Sequence, residues 1–256
     1  MNTAETPIYL AASGYGTRMR GAMDAMGYAH VPKHLLPTGE QINQTLLGRN
    51  LRIAKASGER VLLLVNEQNR PAIMAHPDID TDSVTTLTDQ AASAPLGPFR
   101  FVEHARQQGY AYSASCAGDV YIEGFDWTAF LRHHRQSKHA MTFMVGRVAA
   151  GETSAVFDID DGSVRAFRRL ERFEEDVYRN IGVYAVDMHS PAVDIMRSYL
   201  SAGDSPGLAR QDEIAADLIG EGFVGAYLHE GTFFNINRPT DYEALLSHTE
   251  TLAAAI

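Results

Sequence analysis

Ile8-Tyr9-Leu10-Ala11-Ala12-Ser13-Gly14-Tyr15-Gly16-Thr17-Arg18-Met19 decides how the rest of the chain reads. Its first five residues form a pure apolar run, the pattern of a strand buried on both faces. The glycines that follow permit a tight turn and let an anion approach backbone N–H groups. Arg18 adds a bidentate donor suited to phosphate. The same pattern also serves as an ordinary strand-to-helix connection. Gly14-x-Gly16 lacks the third glycine of a dinucleotide fingerprint, and no Gly-Lys-Ser/Thr follows as in a P-loop.

Working outward, Val61–Val65 is a second apolar run, and further strands are predicted at Val84–Leu87, Tyr112–Ala117 and Met141–Val148. Helical spacing falls between them, at Leu46–Ala56, Arg100–Gln108 and Thr128–Ser137. Strand–helix alternation predicts an α/β fold with a parallel sheet covered on both faces. Beyond residue 145 the pattern changes. Ala155–Asp158 and Val164–Phe167 flank Asp160-Asp161-Gly162, a hairpin turn, and Asn180–Val186 reads as a strand. Helices at Ala192–Leu200 and Gln211–Ile219, a strand at Val224–His229 and a last helix from about Thr240 complete the reading. The expectation is one folded unit over residues 1–256, an α/β core with a more mixed insertion at roughly 145–190 that could cover a substrate.

The chain has 256 residues, 45% hydrophobic and 21% charged, enough apolar side chain for a sizeable core and against disorder. The formal charge of −10 argues against a broad surface for nucleic acid or an acidic membrane. A single cysteine, Cys116, excludes an intramolecular disulfide or a Cys-based zinc site and fits a reducing compartment. The polar first residues do not read as a signal peptide, and no apolar run approaches the roughly 20 residues that cross a bilayer. A soluble, cytoplasmic protein is the expectation. The chain holds 19 arginines but only three lysines, Lys33, Lys55 and Lys138, which draws attention to any lysine inside a motif.

Lys33 is inside one: Pro32-Lys33-His34-Leu35-Leu36-Pro37, where stiff flanks suit a positioned charge. Ala117-Gly118-Asp119-Val120 places a carboxylate at the carboxyl end of a predicted strand, where open α/β sheets bind ligands. Mg²⁺ takes one or two carboxylates plus phosphate oxygens, so Asp119 is a reasonable ligand for it. Phe234-Asn235-Ile236-Asn237-Arg238-Pro239-Thr240-Asp241-Tyr242 is a short strand breaking into a helix. Other signals read more plainly. Asp158-Ile159-Asp160 is hairpin chemistry, and His133, His134 and His139 read as solvated surface. Arg168-Arg169 reads equally well as an exposed strand end or as an attractor for an acidic molecule.

In their order and spacing these motifs resemble the sugar-1-phosphate nucleotidyltransferases of the nucleotidyl-transferase family. Ser13–Met19 and Pro32–Pro37 match that family's opening motifs, and Gly118-Asp119 its Gly-Asp step. Glu171-Arg172 with Asn180-Ile-Gly-Val-Tyr184, and Asn235–Tyr242, match its later ones, so the resemblance covers about residues 8–246. It implies a Rossmann-like three-layer fold with a mainly parallel central sheet and a small mixed α/β acceptor-binding insertion. The nucleotide-binding half would span about 1–144 and the acceptor-binding part about 145–256. Ala12, Ser13, Gly14, Gly16 and Thr17 would cradle an NTP, and Arg18 would hold the departing pyrophosphate. Lys33 would sit on the α-phosphate, while Asp119 and Asn235 would hold Mg²⁺. Glu171 and Asn180 would bind acceptor hydroxyls and Arg172 its phosphate.

Three positions depart from the family pattern. Asn235 stands where Asp is frequent, and Arg172 stands where Lys is usual. The base-recognition segment, Gln90 to Pro98 with Gly97 inside it, is longer than the family's, so the nucleobase is left open. The implied reaction gives an NDP-sugar and pyrophosphate from an NTP and a sugar 1-phosphate. Alternatives are the same chemistry on a non-sugar phosphate or phosphonate, a non-catalytic nucleotide-binding regulatory module, and a glycosyltransferase. Relatives commonly form dimers or tetramers, so a homo-oligomer is an expectation without an assigned interface.

Overall fold

The computed structural model describes residues 5–14, 16–41, 44–81, 84–89, 101–149, 151–201 and 207–254. β1 (Ile8–Ala12) is buried along its whole length. It lies between β2 (Val61–Asn66) and β4 (Tyr112–Ala117), parallel to both, with Leu10 opposite Leu63 and Cys116. β3 (Thr85–Asp89) extends this parallel group beyond β2. The run is apolar throughout because its alternate side chains enter two different cores. Tyr9 packs in a cluster with Phe101, Val102 and Ala105 of α4 (Phe101–Gln107). Ile8, Leu10 and Ala12 pack in another with Leu47, Leu51 and Ala54 of α2 (Leu46–Ala56). Thr45 caps α2, its side chain accepting from the Gly48 N–H.

The later strands organise differently from the expectation. β6 (Met141–Val148), β7 (Gly151–Asp160), β8 (Ser163–Phe173) and β9 (Val177–Asp187) follow one another with no helix between them. β7 and β8 form an antiparallel hairpin, and β9 runs antiparallel to both β6 and β7. Among the described residues the large sheet has nine strands, in the order β3-β2-β1-β4-β9-β6-β10-β8-β7, where β10 is Val224–His229. β7 also pairs with β9, through Val156 with Arg179 and Phe157 with Tyr178. That extra pairing closes β9, β6, β10, β8 and β7 into a five-stranded barrel. The Rossmann-like, mainly parallel sheet of the sequence reading is therefore corrected to a mixed sheet, parallel from β3 to β4 and rolled into a barrel beyond β4. Apolar runs report that a strand is buried and say nothing of its neighbours' direction. The hairpin reading holds: Asp161 and Gly162, both at positive φ, turn between Asp160 and its partner Ser163.

His134 is a second correction. It lies on α5 (Trp127–Gln136), on the face that buries Trp127, Phe130 and Leu131, and is 2% exposed. Its Nδ1 is 2.8 Å from Thr142 Oγ1, and burial brings its pKa down from 6.5 to about 4. His139 is half-buried with Nε2 3.0 Å from Ser163 Oγ, and only His133 is exposed. Between those two pKa values the unfolded chain binds a proton that the folded chain refuses. Stability from this residue is thus complete above about pH 6.5 and declines as pH falls towards 4. Urea unfolding from about pH 8 to about pH 5 is expected to lose about 2 kcal/mol from His134, and His134→Gln is expected to flatten that part of the slope.

α6 (Ala192–Ser201) and α7 (Gly207–Gly220) pack against the barrel side, and α8 (Pro239–Ala254) ends the described chain. No helix among the described residues is long and apolar enough to cross a membrane.

Candidate active site

Two short strands build the centre of the site, one read from the sequence at Phe234-Asn235 and one that the sequence reading missed. β5 (Val120–Ile122) pairs antiparallel with β11 (Phe233–Asn235), and Asn235 stands opposite Val120. The Ile236 N–H donates to the Asp119 carbonyl at 3.0 Å. Asp119, at the carboxyl end of β4, is thereby set beside Asn235, although the two are far apart in sequence. α2 braces this ladder from behind. Asn50 donates to the Val120 carbonyl at 2.8 Å and Arg49 to the Ile122 carbonyl at 3.0 Å. Arg49 also covers the Tyr121 ring, 4.1 Å from its centroid, and pairs with Glu40 at 3.0 Å.

Lys33 enters from a single 3-10 turn, Lys33–Leu35, whose preceding Pro32 holds the chain extended. The lysine is 9% exposed; its Nζ forms an ion pair with Asp119 and donates to the Ile236 carbonyl at 3.2 Å. Burial pushes the Asp119 carboxyl towards protonation, but the Lys33 ammonium and the other neighbouring donors outweigh it and hold the pKa below its ordinary value. The His34 ring is buried beside them, and desolvation brings its pKa down to about 4, which leaves it neutral near pH 7.

The glycine turn lies next to this cluster. Gly16 adopts a φ of +63°, the left-handed region that side chains avoid, and its carbonyl accepts the Met19 N–H at 2.9 Å. A Cβ on Gly16 would stand 3.5 Å from the Lys33 Cγ, so turn and lysine share one wall. Ala12 and Ser13 are buried, whereas Thr17 and Arg18 are exposed. The helix α1 (Arg20–Ala25) follows. Arg18 donates to Asn237 Oδ1 at 2.9 Å, and the Asp241 carboxylate accepts from the Asn237 and Arg238 N–H groups at 2.9 and 2.7 Å. The first and last motifs of the chain thus touch directly. A cavity of about 260 Å³ opens beside the turn, lined by Gly16, Arg20, His30, Lys33, Gln68 and Asn69 among others.

Asn180 stands at an irregularity of β9. The register with β6 passes from Phe143↔Tyr184 to Val145↔Asn180, two residues of β6 against four of β9, and Gly182 at its centre has a φ of +95°. The Asn180 amide donates to the Tyr184 hydroxyl and accepts the Gly182 N–H, both at 2.7 Å. Its carbonyl accepts from Asn235 Nδ2 at 3.1 Å. The side chain that the resemblance points at a sugar hydroxyl is engaged within its own strand, and its backbone holds Asn235.

That bond fixes the Asn235 amide and leaves its Oδ1 buried without a hydrogen-bond partner. An acceptor left in that condition costs about 1–3 kcal/mol unless something completes it. A hard cation would do so, and the Asp119 carboxylate beside it supplies charge. The pair therefore fits Mg²⁺, which satisfies its remaining positions with water or phosphate oxygens. No group of three or more His, Cys, Asp or Glu side chains suited to a metal occurs among the described residues.

The structure brings Lys33, Asp119, Asn235 and the backbone of Asn180 together, with Arg18 joined through Asn237. Glu171 and Arg172 are exposed on β8, which pairs with β7 and β10. Arg168 and Arg169 bind Asp158 and Asp212, the latter pair forked at 2.6 to 2.9 Å, so both have acidic partners within the chain. Gln90, Gly97 and Tyr15 lie outside the described residues. Two functional candidates escaped the sequence reading altogether, Asn66 and Asn69, whose amides reach the glycine turn.

No family model matches the sequence, and no curated protein does. Solved structures match the fold. A protein described as a glucose-1-phosphate thymidylyltransferase from Bacillus anthracis, in complex with a sucrose, superposes with a TM-score of 0.72 over 96% of this chain and 95% of that one, at 14% identity. HddC from Yersinia pseudotuberculosis superposes at 0.69 over 95% and 99%, at 17% identity, and does so equally in its complex with GMP-PN. The fold is thus sugar-1-phosphate nucleotidyltransferase-like. At these identities the likeness concerns the fold.

Proposed function

We propose that this protein transfers a nucleotidyl group from an NTP to the phosphate of a sugar 1-phosphate or a similar acceptor, releasing pyrophosphate. The observation that carries the reading is the Lys33–Asp119–Asn235 cluster beside a glycine turn at the carboxyl end of a central strand. In this reaction an acceptor phosphate oxygen forms a bond to the α-phosphorus as the α-phosphorus–bridging-oxygen bond breaks. The attacking oxygen is already ionised, so no general base is needed, and catalysis reduces to positioning and charge stabilisation. Lys33 supplies a preorganised cation for the charge that develops at the α-phosphate. Arg18, exposed at the turn, neutralises the departing pyrophosphate, and Asn237 holds its guanidinium meanwhile. Mg²⁺ bound by Asp119 and Asn235 would neutralise phosphate oxygens.

The test is pyrophosphate release with each NTP, a panel of sugar 1-phosphates and Mg²⁺. Release is expected with at least one pair, and Asp119→Asn is expected to lower it by about 10²-fold or more. Silence across the whole panel removes the reading.

A further inference from the structure

Asn66 closes β2 and Asn69 stands three residues later; they are 2% and 6% exposed. Asn66 Nδ2 donates to the Ser13 carbonyl at 2.6 Å. Asn69 Nδ2 donates to the Gly14 carbonyl at 2.9 Å and, more weakly, to that of Ala12 at 3.4 Å. The two side chains are coupled, because Asn66 Oδ1 accepts the Asn69 backbone N–H at 2.6 Å. The Asn66 amide is therefore held by its oxygen and grips the glycine turn with its nitrogen, and it anchors the backbone of Asn69 beside it.

Asn69 gives up something in the process. It occupies the N-cap of α3 (Arg70–Met74), where an asparagine oxygen normally accepts the first free N–H groups of the helix. It makes no such bond. A favourable local interaction left unused at a buried position marks a competing demand.

That demand is the direction of the turn's peptides. In a trans peptide the carbonyl and the next N–H point to opposite sides, and the described chain has no cis bond. Drawing the Ala12 and Ser13 carbonyls towards the asparagines turns the N–H groups of Ser13 and Gly14 away from them, free to meet an anion. An aspartate could not substitute, since a carboxylate has no hydrogen to give these carbonyls. We propose that Asn66 and Asn69 are positioning residues that preset the glycine turn as a polyphosphate cradle. This rests on the nucleotidyl-transfer reading and extends it to two side chains that act through the backbone of the turn.

Asn69→Ser provides the test. Serine is neutral and a good N-cap for α3 but too short to reach the Gly14 carbonyl. Titration calorimetry with inorganic tripolyphosphate is expected to show affinity reduced about tenfold, with the KM for NTP raised by a similar factor. KM for the acceptor and the melting temperature are expected to stay within about twofold and about 2 °C. Loss of melting temperature with unchanged tripolyphosphate affinity, or no change at all, overturns the proposal. Should Asn69→Ser fail to fold, Asn69→Asp is judged by the same affinity criterion. A wild-type chain that binds tripolyphosphate in an Asn69-dependent way but transfers no nucleotide retains the cradle and removes the transfer reading instead.

Discussion

Lys33→Ala is expected to lower kcat about 10³-fold and to destabilise the fold at the same time. The catalytic loss follows from removing a buried cation from the place where charge develops on the α-phosphate. The second loss follows from what the lysine leaves behind. Its Nζ pairs with Asp119, whose side chain is largely enclosed. Truncating one partner of such a pair leaves an uncompensated carboxylate, which costs about 2–3 kcal/mol when the remaining exposure is allowed for. From the motif alone the expectation is an activity loss far larger than any change in stability. The ion pair makes both effects substantial. Turnover and urea unfolding on the same preparation check them, and a variant that keeps more than a tenth of its turnover refutes the role assigned to Lys33.

Gly118→Ala is expected to be nearly as damaging although it removes nothing. A Cβ at this position would lie 2.9 Å from the Ala11 carbonyl oxygen, 3.2 Å from Leu47 Cδ1 and 3.3 Å from His34 Cδ2. The leucine and histidine have little room to move in a packed interior. The carbonyl cannot retreat either, because it accepts the Gly118 N–H at 2.8 Å and belongs to β1. Overpacking against backbone costs about 3 kcal/mol. The relaxation that relieves it must also shift Asp119, and a displacement of about 1 Å at a reacting centre costs about 10²-fold in rate. Unfolding measurements and pyrophosphate release should therefore fall together. Wild-type stability in Gly118→Ala would show that the approach to Ala11 is looser than described.

Much of the frame was legible because burial leaves a direct mark on sequence. Leu46–Ala56, Tyr112–Ala117, Met141–Val148 and Val224–His229 are found at their expected bounds. The glycine turn, Lys33 and Asp119 were legible through motif order, and they do converge. What escaped did so for physical reasons. β5 has three residues and meets β11 only after more than a hundred intervening positions, so no local period reveals β5 or its pairing with the short strand read at Phe234-Asn235. The direction of β9 depends on connections that hydrophobicity does not encode. Asn66 and Asn69 look like ordinary turn residues until the carbonyls they hold are seen. His134 carried a usable signal: Trp127, Phe130, Leu131 and His134 follow helical spacing, which puts the histidine on the buried face.

β9 sits at the junction of the large sheet. It pairs with β4 on one side and with β6 and β7 on the other, so it is the barrel strand that joins the barrel to the parallel group. A chain stopped near residue 144 would strip β9 from β4 and expose the free main-chain groups of Tyr112–Ala117 along an apolar edge. Such an edge invites pairing with a second copy. The strand that carries Asn180 therefore also acts as a guard against self-association, and the early part of the chain depends on the late part to remain dispersed.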